Sequence, residues 1–442
     1  MKKALKIIGC VLVALLCVTL LVYAGSIAMT GFPTHHQEPV MMDSHDVFEA
    51  EKPLTAEPVE EEPAEAEPAE EEAPPEEEPT EAEVPEEEPV ATPLSDYEEQ
   101  ARAYMEKMTL EEKIWQMIMT TPDKLAGEAN ATRAGEASQT FLSEKPVGGV
   151  CFFGGNLVDQ AQAKVLLMST QTYSKTPLFL AVDEEGGRVS RCGANEKIEV
   201  THFDAAATYG EKGSENEVYN VGKTLAKELG VLGFNLDFAP VADVITNENN
   251  TEIGDRAYSD DPEVAGAMVS SMVKGMQRNG MAACLKHFPG HGSTEADSHQ
   301  GVSISTRTID ELRQTEWVPF KQGIDAGAAF VMVGHQTNKN ISELPASLSS
   351  VTYTYLREEL GFRGVAITDA LNMGAIKDYY TSAQAAVMAV QAGADILLMP
   401  NDLGTAVKGI TEAIEKGTIT EARIDESVLR ILETKYMFGI MQ

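Results

Sequence analysis

Basic residues are scarce in this 442-residue chain: 34 Lys and Arg stand against 70 Asp and Glu, a formal charge of −36 with histidines neutral. Nucleic acid is thereby excluded as the natural partner, because phosphate backbones are held by an excess of cations. Cysteine is scarcer still. Of the five, Cys10 and Cys17 lie in an apolar N-terminal stretch, and neither has the small preceding residues and late position of a lipid-modified cysteine. Cys151, Cys192 and Cys284 are odd in number and widely spaced, so no disulfide framework follows from them. Cys151 and Cys284 sit in apolar runs, where a buried free thiol is expected. Also missing is a Gly-x-Gly-x-x-Gly after the early apolar runs; Gly186-Gly187 is too short for that fingerprint, which counts against an open, doubly wound sheet.

The acid is unevenly spread. Residues 51–90 hold 18 Glu and one Lys, carry nine of the 21 prolines and contain no aromatic residue. Such a segment buries too little apolar surface to offset chain entropy, and its like charges repel, so residues 31–92 are predicted to be a disordered, extended linker. Ahead of it, Lys2, Lys3 and Lys6 precede an uncharged apolar stretch over residues 7–24. As a helix this would run about 27 Å, nearly enough to cross a bilayer. The early lysines favour a cytoplasmic N-terminus. Residues 1–30 are therefore expected to anchor the chain in the cell membrane by a single pass, with the remainder extracytoplasmic. The alternative is secretion after signal cleavage near Ser26-Ile27-Ala28.

From about residue 93 the composition becomes that of an ordinary globular domain. Ser95 with Glu98, and Thr109 with Glu112, have capping-box spacing, which satisfies free N–H groups at helix starts. Over 93–442, short apolar runs alternate with helix-like segments: 147–153, 178–182, 234–238, 282–285, 330–333, 365–368 and 396–399, with 116–119 as a weaker eighth. Runs that are continuous rather than alternating suit strands covered on both faces. The predicted fold is α/β, a TIM-type (β/α)8 barrel. The residues that end or punctuate the runs would then converge on one mouth: Asp183, Asp237, Lys286 with His287, His335 and Asp369.

Three of the eight histidines fall within 13 positions, in Lys286-His287-Phe288-Pro289-Gly290-His291-Gly292-Ser293-Thr294-Glu295-Ala296-Asp297-Ser298-His299. His287 and His291 are four apart, but Pro289-Gly290 between them breaks the helix that would place both on one face. A loop can still gather histidines and carboxylates round zinc, so a metal site stays open as the lesser alternative. Asp297 and His299 are close enough for the carboxylate to accept from one ring nitrogen while the other faces a reacting group. A lone Asp-x-His is more often solvated surface; Lys286 and His287 beside an apolar run are better explained as a pocket floor. Asp369 is either a carboxylate at the mouth or the N-cap of the next helix. For Arg191, which with Asp183 flanks residues 184–190, and for Arg256, in Gly254-Asp255-Arg256, a plain salt bridge stands beside a ligand contact.

Together these motifs resemble family 3 glycoside hydrolases, in the β-N-acetylhexosaminidase branch. The matching elements are Val182-Asp183-Glu184-Glu185-Gly186-Gly187-Arg188-Val189, Gly254-Asp255-Arg256, Lys286 through Gly292 with Asp297-Ser298-His299, and Thr368-Asp369-Ala370-Leu371-Asn372-Met373. They stand in the family's order and cover the chain from about residue 100 onward. The histidine-rich element is highly specific, whereas Gly-Asp-Arg alone is weak. The resemblance implies a barrel that removes terminal β-linked N-acetylglucosamine (GlcNAc) in two steps with retention. It makes Asp369 the nucleophile, His299 with Asp297 the general acid–base dyad, and Asp183, Arg191, Arg256, Lys286 and His287 sugar-binding positions. No metal or other cofactor is implied. Glu184 stands where glutamine is common, and Ser293 where an acid or amide is common. Some members take their acid/base from a second domain; none follows the last predicted strand and helix here, so the histidine branch is expected.

The resulting expectation is an exo-β-N-acetylglucosaminidase acting as a monomer on cell-wall fragments or related GlcNAc-containing glycans, with the membrane as its second partner. The alternatives are a β-N-acetylglucosaminide phosphorylase, in which phosphate replaces water, a metal-dependent hydrolase or deacetylase using His287, His291 and His299, and a non-catalytic glycan-binding protein.

Overall fold

The computed structural model describes residues 96–294 and 303–442. The predicted anchor and linker, Ser95, Asp297 and His299 lie outside these residues. Among the described residues, no helix is long and apolar enough to cross a membrane.

Eight strands form one parallel sheet: β1 (Ile118–Thr120), β2 (Gly149–Phe152), β3 (Phe179–Val182), β4 (Leu236–Asp237), β5 (Ala282–Phe288), β6 (Phe330–Val333), β7 (Val365–Thr368) and β8 (Leu397–Leu398). From β1 to β7 each pairs with its successor, and β8 pairs back with β1 through Ile118↔Leu397. A single parallel bridge, Ile367↔Ile396, spans the seam between β7 and β8. The result is a nearly closed barrel with helices in its connections, as the run pattern implied.

All eight predicted runs contain a strand, with two differences at their edges. Gln116 closes the helix Leu110–Gln116, so β1 begins only at Ile118. The strand β5 does not stop at Leu285 but continues through Lys286 and His287 to Phe288, all seven residues buried. A charged side chain ended the hydrophobic pattern without ending the strand, because its partners are buried charges rather than water. The capping box at the start of Leu110–Gln116 is present: Glu112 N donates to Thr109 Oγ1 at 3.2 Å, and Thr109 N to Glu112 Oε2 at 2.9 Å.

The outer helices follow from local chemistry. Helix Glu215–Leu232 starts at the Ser214 cap, ends at Gly233 with φ 110°, and buries Val218, Val221, Leu225, Leu229 and Leu232, a stripe at helical spacing. It packs against Pro262–Gln277 at two glycines: a Cβ on Gly222 would come 2.7 Å from the Met272 carbonyl oxygen, and one on Gly275 would come 2.3 Å from that of Tyr219. Cys151, Cys192 and Cys284 are buried free thiols.

Opposite the mouth, helix Glu421–Met437 brings Lys435 under the barrel, fully buried. Its Nζ donates to Gln116 Oε1 at 2.8 Å and lies 5.1 Å from the centre of the Phe179 ring. Burial pushes this amine down to about 7. The unfolded chain therefore binds one more proton than the folded chain between about pH 7 and the ordinary lysine range, so this group's contribution makes stability rise with pH across that window. Lys435→Met is expected to raise the unfolding free energy at pH 7 by about 2–3 kcal/mol. Removing the ammonium gains more than that, and the orphaned Gln116 carbonyl returns about 1–3 kcal/mol. Denaturant titration at pH 7 and pH 9.5 checks it; a destabilised variant, or a gain that does not shrink at the higher pH, overturns it.

Candidate active site

Because the strands are parallel, their C-terminal ends share one mouth. Asp183 follows β3 and opens an antiparallel ribbon, Glu184–Gly186 against Val189–Ser190. From β5, Lys286 Nζ reaches Asp183 Oδ1 at 2.7 Å and Glu185 Oε1 at 2.6 Å. Arg256 forks onto Glu185, Nε to Oε2 at 2.8 Å and Nη2 to Oε1 at 2.9 Å. Arg191 Nη2 lies 3.7 Å from Asp183 Oδ2, and Arg191 Nε is buried with no hydrogen-bond partner among the described residues. Asp183, Arg191, Arg256 and Lys286 thus meet in one network. For Arg256 the salt bridge weighed from the sequence is real, and its acceptor is Glu185.

Glu185 is the hub, and no role was foreseen for it; its only signal was its place inside the Asp183-Glu184-Glu185-Gly186-Gly187-Arg188 motif. Burial opposes its charge, but the Arg256 and Lys286 cations outweigh that and hold its carboxyl far below the usual carboxylate range. Burial likewise opposes the Lys286 ammonium, yet Asp183 and Glu185 hold its pKa above the ordinary lysine value.

The ribbon's shape comes from Glu184, which is buried and accepts from the backbone N–H groups of Arg191 (2.8 Å), Cys192 (2.7 Å) and Gly193 (3.2 Å) and from the Ser190 hydroxyl. That collar turns the chain so that Arg191 returns to Asp183. Burial still raises the Glu184 carboxyl above its ordinary value. Asp237, expected at the mouth, is instead fully buried beneath it, with Oδ1 accepting from Glu184 N at 2.9 Å. Burial pushes its carboxyl well above the usual range, against the Glu184 N–H and the Lys286 ammonium, which favour its charged form.

His287 is held by Asp243, another residue the sequence reasoning passed over. Its Nδ1 lies 2.8 Å from Asp243 Oδ2, and the backbone N of His291 donates to Asp243 Oδ1 at 2.7 Å. Burial opposes the Asp243 charge, but the two histidines hold its carboxyl below the ordinary value. Burial and the neighbouring His287 lower the His291 pKa, against the pull of Asp243 and of Asp369. The Asp369 charge is therefore felt across the mouth, at the loop after β5. Gly292 is obligatory in that loop, since a Cβ there would come 1.8 Å from the Val244 carbonyl oxygen. Among the described residues, no three His, Cys, Asp or Glu side chains are grouped to hold a metal ion.

Asp369 directly follows β7. Its backbone N donates to Val333 O at 2.8 Å, and its Oδ1 accepts from Ala370 N at 2.7 Å. It is not a helix N-cap: the next helix, Gly374–Lys377, is preceded by Met373 in that position. His335, also expected at the mouth, is fully buried behind it. Its Nε2 donates to Ala370 O at 3.0 Å, which leaves Nδ1 to accept from the Ser347 hydroxyl at 2.7 Å. It braces the turn that carries Asp369.

A barrel whose mouth gathers paired carboxylates, two arginines and a buried lysine is a site for a polar, hydroxyl-rich ligand, the architecture of a barrel enzyme. The family model described as "Glycosyl hydrolase family 3 N terminal domain" matches residues 109–434, and the chain belongs to this family. It is 32% identical over 326 residues to Beta-hexosaminidase A of Pseudoalteromonas piscicida, covering 67% of this chain and 54% of that relative. It is 35% identical over 283 residues to Beta-hexosaminidase of Nitrosomonas eutropha, covering 62% and 80%. A glycoside hydrolase family 3 β-N-acetylglucosaminidase from Paenibacillus superposes with a TM-score of 0.70 at 34% identity, covering 75% of this chain and 63% of that one. The chain thus spans little more than half the length of the Pseudoalteromonas relative.

Proposed function

We propose that the chain is a retaining exo-β-N-acetylglucosaminidase, a monomer anchored by its N-terminal segment and acting outside the cytoplasm on GlcNAc-terminated glycans such as cell-wall fragments. The observation that carries this is the position of Asp369: it follows a barrel strand on the same rim as the Asp183–Lys286–Glu185–Arg256 network.

In this reading the network, with Arg191 and His287, fixes the hydroxyls and acetamide of the terminal sugar and sets its anomeric carbon over Asp369. Asp183 accepts from hydroxyls, while Arg191 Nε and Lys286 donate. Fixing the reactants in this way supplies orientation. Asp369 attacks to give a glycosyl-aspartate, which splits one hard displacement into two. His299, held by Asp297, donates a proton to the departing oxygen as imidazolium, then as neutral imidazole takes one from the water that releases the sugar. The relatives named β-hexosaminidase support this reading.

Mass spectrometry of the intact protein after a fluorinated GlcNAc-type inactivator tests it. The expected result is one adduct on Asp369 and an N-terminus that retains residues 1–30; an adduct on another residue overturns the mechanism. His299→Ala is expected to slow glycans with alkoxide leaving groups by about 10²–10⁴-fold and aryl glycosides with acidic leaving groups far less. Equal loss on both would remove His299 from the acid's role.

A further inference from the structure

Residues 295–302, which include Asp297 and His299, join two described stems, one through Gly290-His291-Gly292-Ser293 and one through Ile304-Ser305-Thr306-Arg307. The stems touch each other. Ser293 Oγ and Ser305 Oγ are 3.0 Å apart, and because Ser305 Oγ already accepts from Arg307 N at 3.3 Å and from Asn338 Nδ2 at 3.4 Å, its proton goes to Ser293. The first stem is also tied to the connection after β4, where Asn250 Nδ2 donates to His291 O at 2.8 Å. The second is tied to the chain after β6, where Asn338 Nδ2 donates to Arg307 O at 3.0 Å.

One side chain holds both stems. Glu316 is fully buried between helices Ile309–Gln314 and Trp317–Asp325. Its aliphatic part lies against the first stem, where a Cβ on Gly290 would come 2.6 Å from both Glu316 Cβ and Cγ. The neighbouring Trp317 Nε1 donates to Pro289 O at 3.1 Å. The Glu316 carboxylate takes the second stem through Arg307, whose Nε donates to Oε1 at 3.1 Å and whose Nη2 donates to Oε2 at 3.4 Å. Thr246 Oγ1, on the connection whose Asp243 holds His287, also donates to Oε1 at 3.1 Å. Donors thus reach both oxygens, and only a carboxylate accepts on both. A buried ion pair gains little net stability over apolar packing, because desolvation consumes most of the attraction. What this one supplies is geometry.

We propose that Glu316, acting through Arg307, is a positioning residue for the acid–base step, because it sets where the stretch bearing Asp297 and His299 leaves the barrel and where it returns. This rests on the glycosidase reading above, and the test separates the two. The hydrogen-bond partners of Glu316 are Arg307, Thr246 and Thr315, none of which belongs to the network around Glu185. Its loss should therefore disturb proton transfer and spare the attack by Asp369. The readout is kcat/KM on chitobiose, whose leaving sugar needs a proton, and on a dinitrophenyl β-N-acetylglucosaminide, whose leaving group does not. Glu316→Gln, whose amide accepts on one side only, is expected to lower kcat/KM on chitobiose by roughly 10- to 100-fold and on the aryl glycoside by at most about two-fold. In a His299→Ala background the same substitution should change chitobiose cleavage by less than about two-fold, since the step it serves is already lost. Equal losses on both substrates, a full further loss in the His299→Ala background, or no loss on chitobiose overturns the proposal.

Should Glu316→Gln fail to fold, Arg307→Lys, which keeps the charge and loses the fork, carries the same comparisons with the same selectivity. If wild-type protein cleaves neither substrate, the glycosidase reading fails, and hydrogen exchange then decides the clamp alone. Glu316→Gln should speed amide exchange in residues 288–294 and 303–308 together by roughly ten-fold or more, with the other barrel strands at wild-type rates. Acceleration at one stem only, at neither, or throughout the barrel overturns it.

Discussion

Replacing Asp369 by alanine is expected to remove turnover by about four orders of magnitude or more, the scale on which loss of a covalent nucleophile acts. The barrel should stay folded. The backbone bond from residue 369 to Val333 does not depend on the side chain, and the turn is braced from behind by His335 through Ala370. Melting temperature should therefore move by only a few degrees while the rate collapses. A variant that keeps a tenth of the wild-type rate would remove Asp369 from the chemistry and leave the network at the mouth as a binding device. Measuring rate and melting temperature on the same preparation separates lost chemistry from lost fold.

Glu185→Gln is expected to have the second-largest effect, on stability and activity together. The side chains of Lys286 and Arg256 are only 3% and 9% exposed, and Glu185 is the carboxylate that pairs with both. Taking away that charge leaves buried cations short of a counter-ion, a change that costs about 3–5 kcal/mol when a buried pair is broken. Catalytic efficiency should fall by about 10²-fold, because the Lys286 ammonium is no longer fixed against Asp183 and positioning errors near 1 Å have that effect.

The pH dependence gives an independent check. The folded-state pKa of Glu185 is depressed, so its contribution is fully present above the ordinary glutamate pKa and is lost progressively as pH falls below it. The stability gap between wild type and variant should be full at pH 7 and narrow steadily below about pH 4. Equal unfolding free energies at pH 7 would show that Glu185 is not the hub.

Several of the structure's main features were legible in the chain itself. The apolar runs and capping residues named all eight strand positions, because burial on both faces of a parallel sheet leaves a continuous hydrophobic trace. The ends of β3 and β7 also placed Asp183 and Asp369 at the mouth, since parallel strands share one end. Errors arose where polar groups are buried. Lys286 looked like the residue after a strand because charge normally marks solvent, yet it lies within β5. Asp237 and His335 looked like mouth residues and are braces beneath and behind it.

Periodicity and local propensity, which act over a few residues, therefore determined the class of fold, the register of strands against helices and the side of the barrel that carries the chemistry. Only the tertiary structure decided which buried charge answers which. Glu185 meets Arg256 across 71 residues, Asp243 meets His287 across 44, and Lys435 meets Gln116 across 319. Such pairings leave no trace in local sequence: the cost of burying a charge can be met by any opposite charge that the fold brings within reach, and the order of residues along the chain does not say which one arrives.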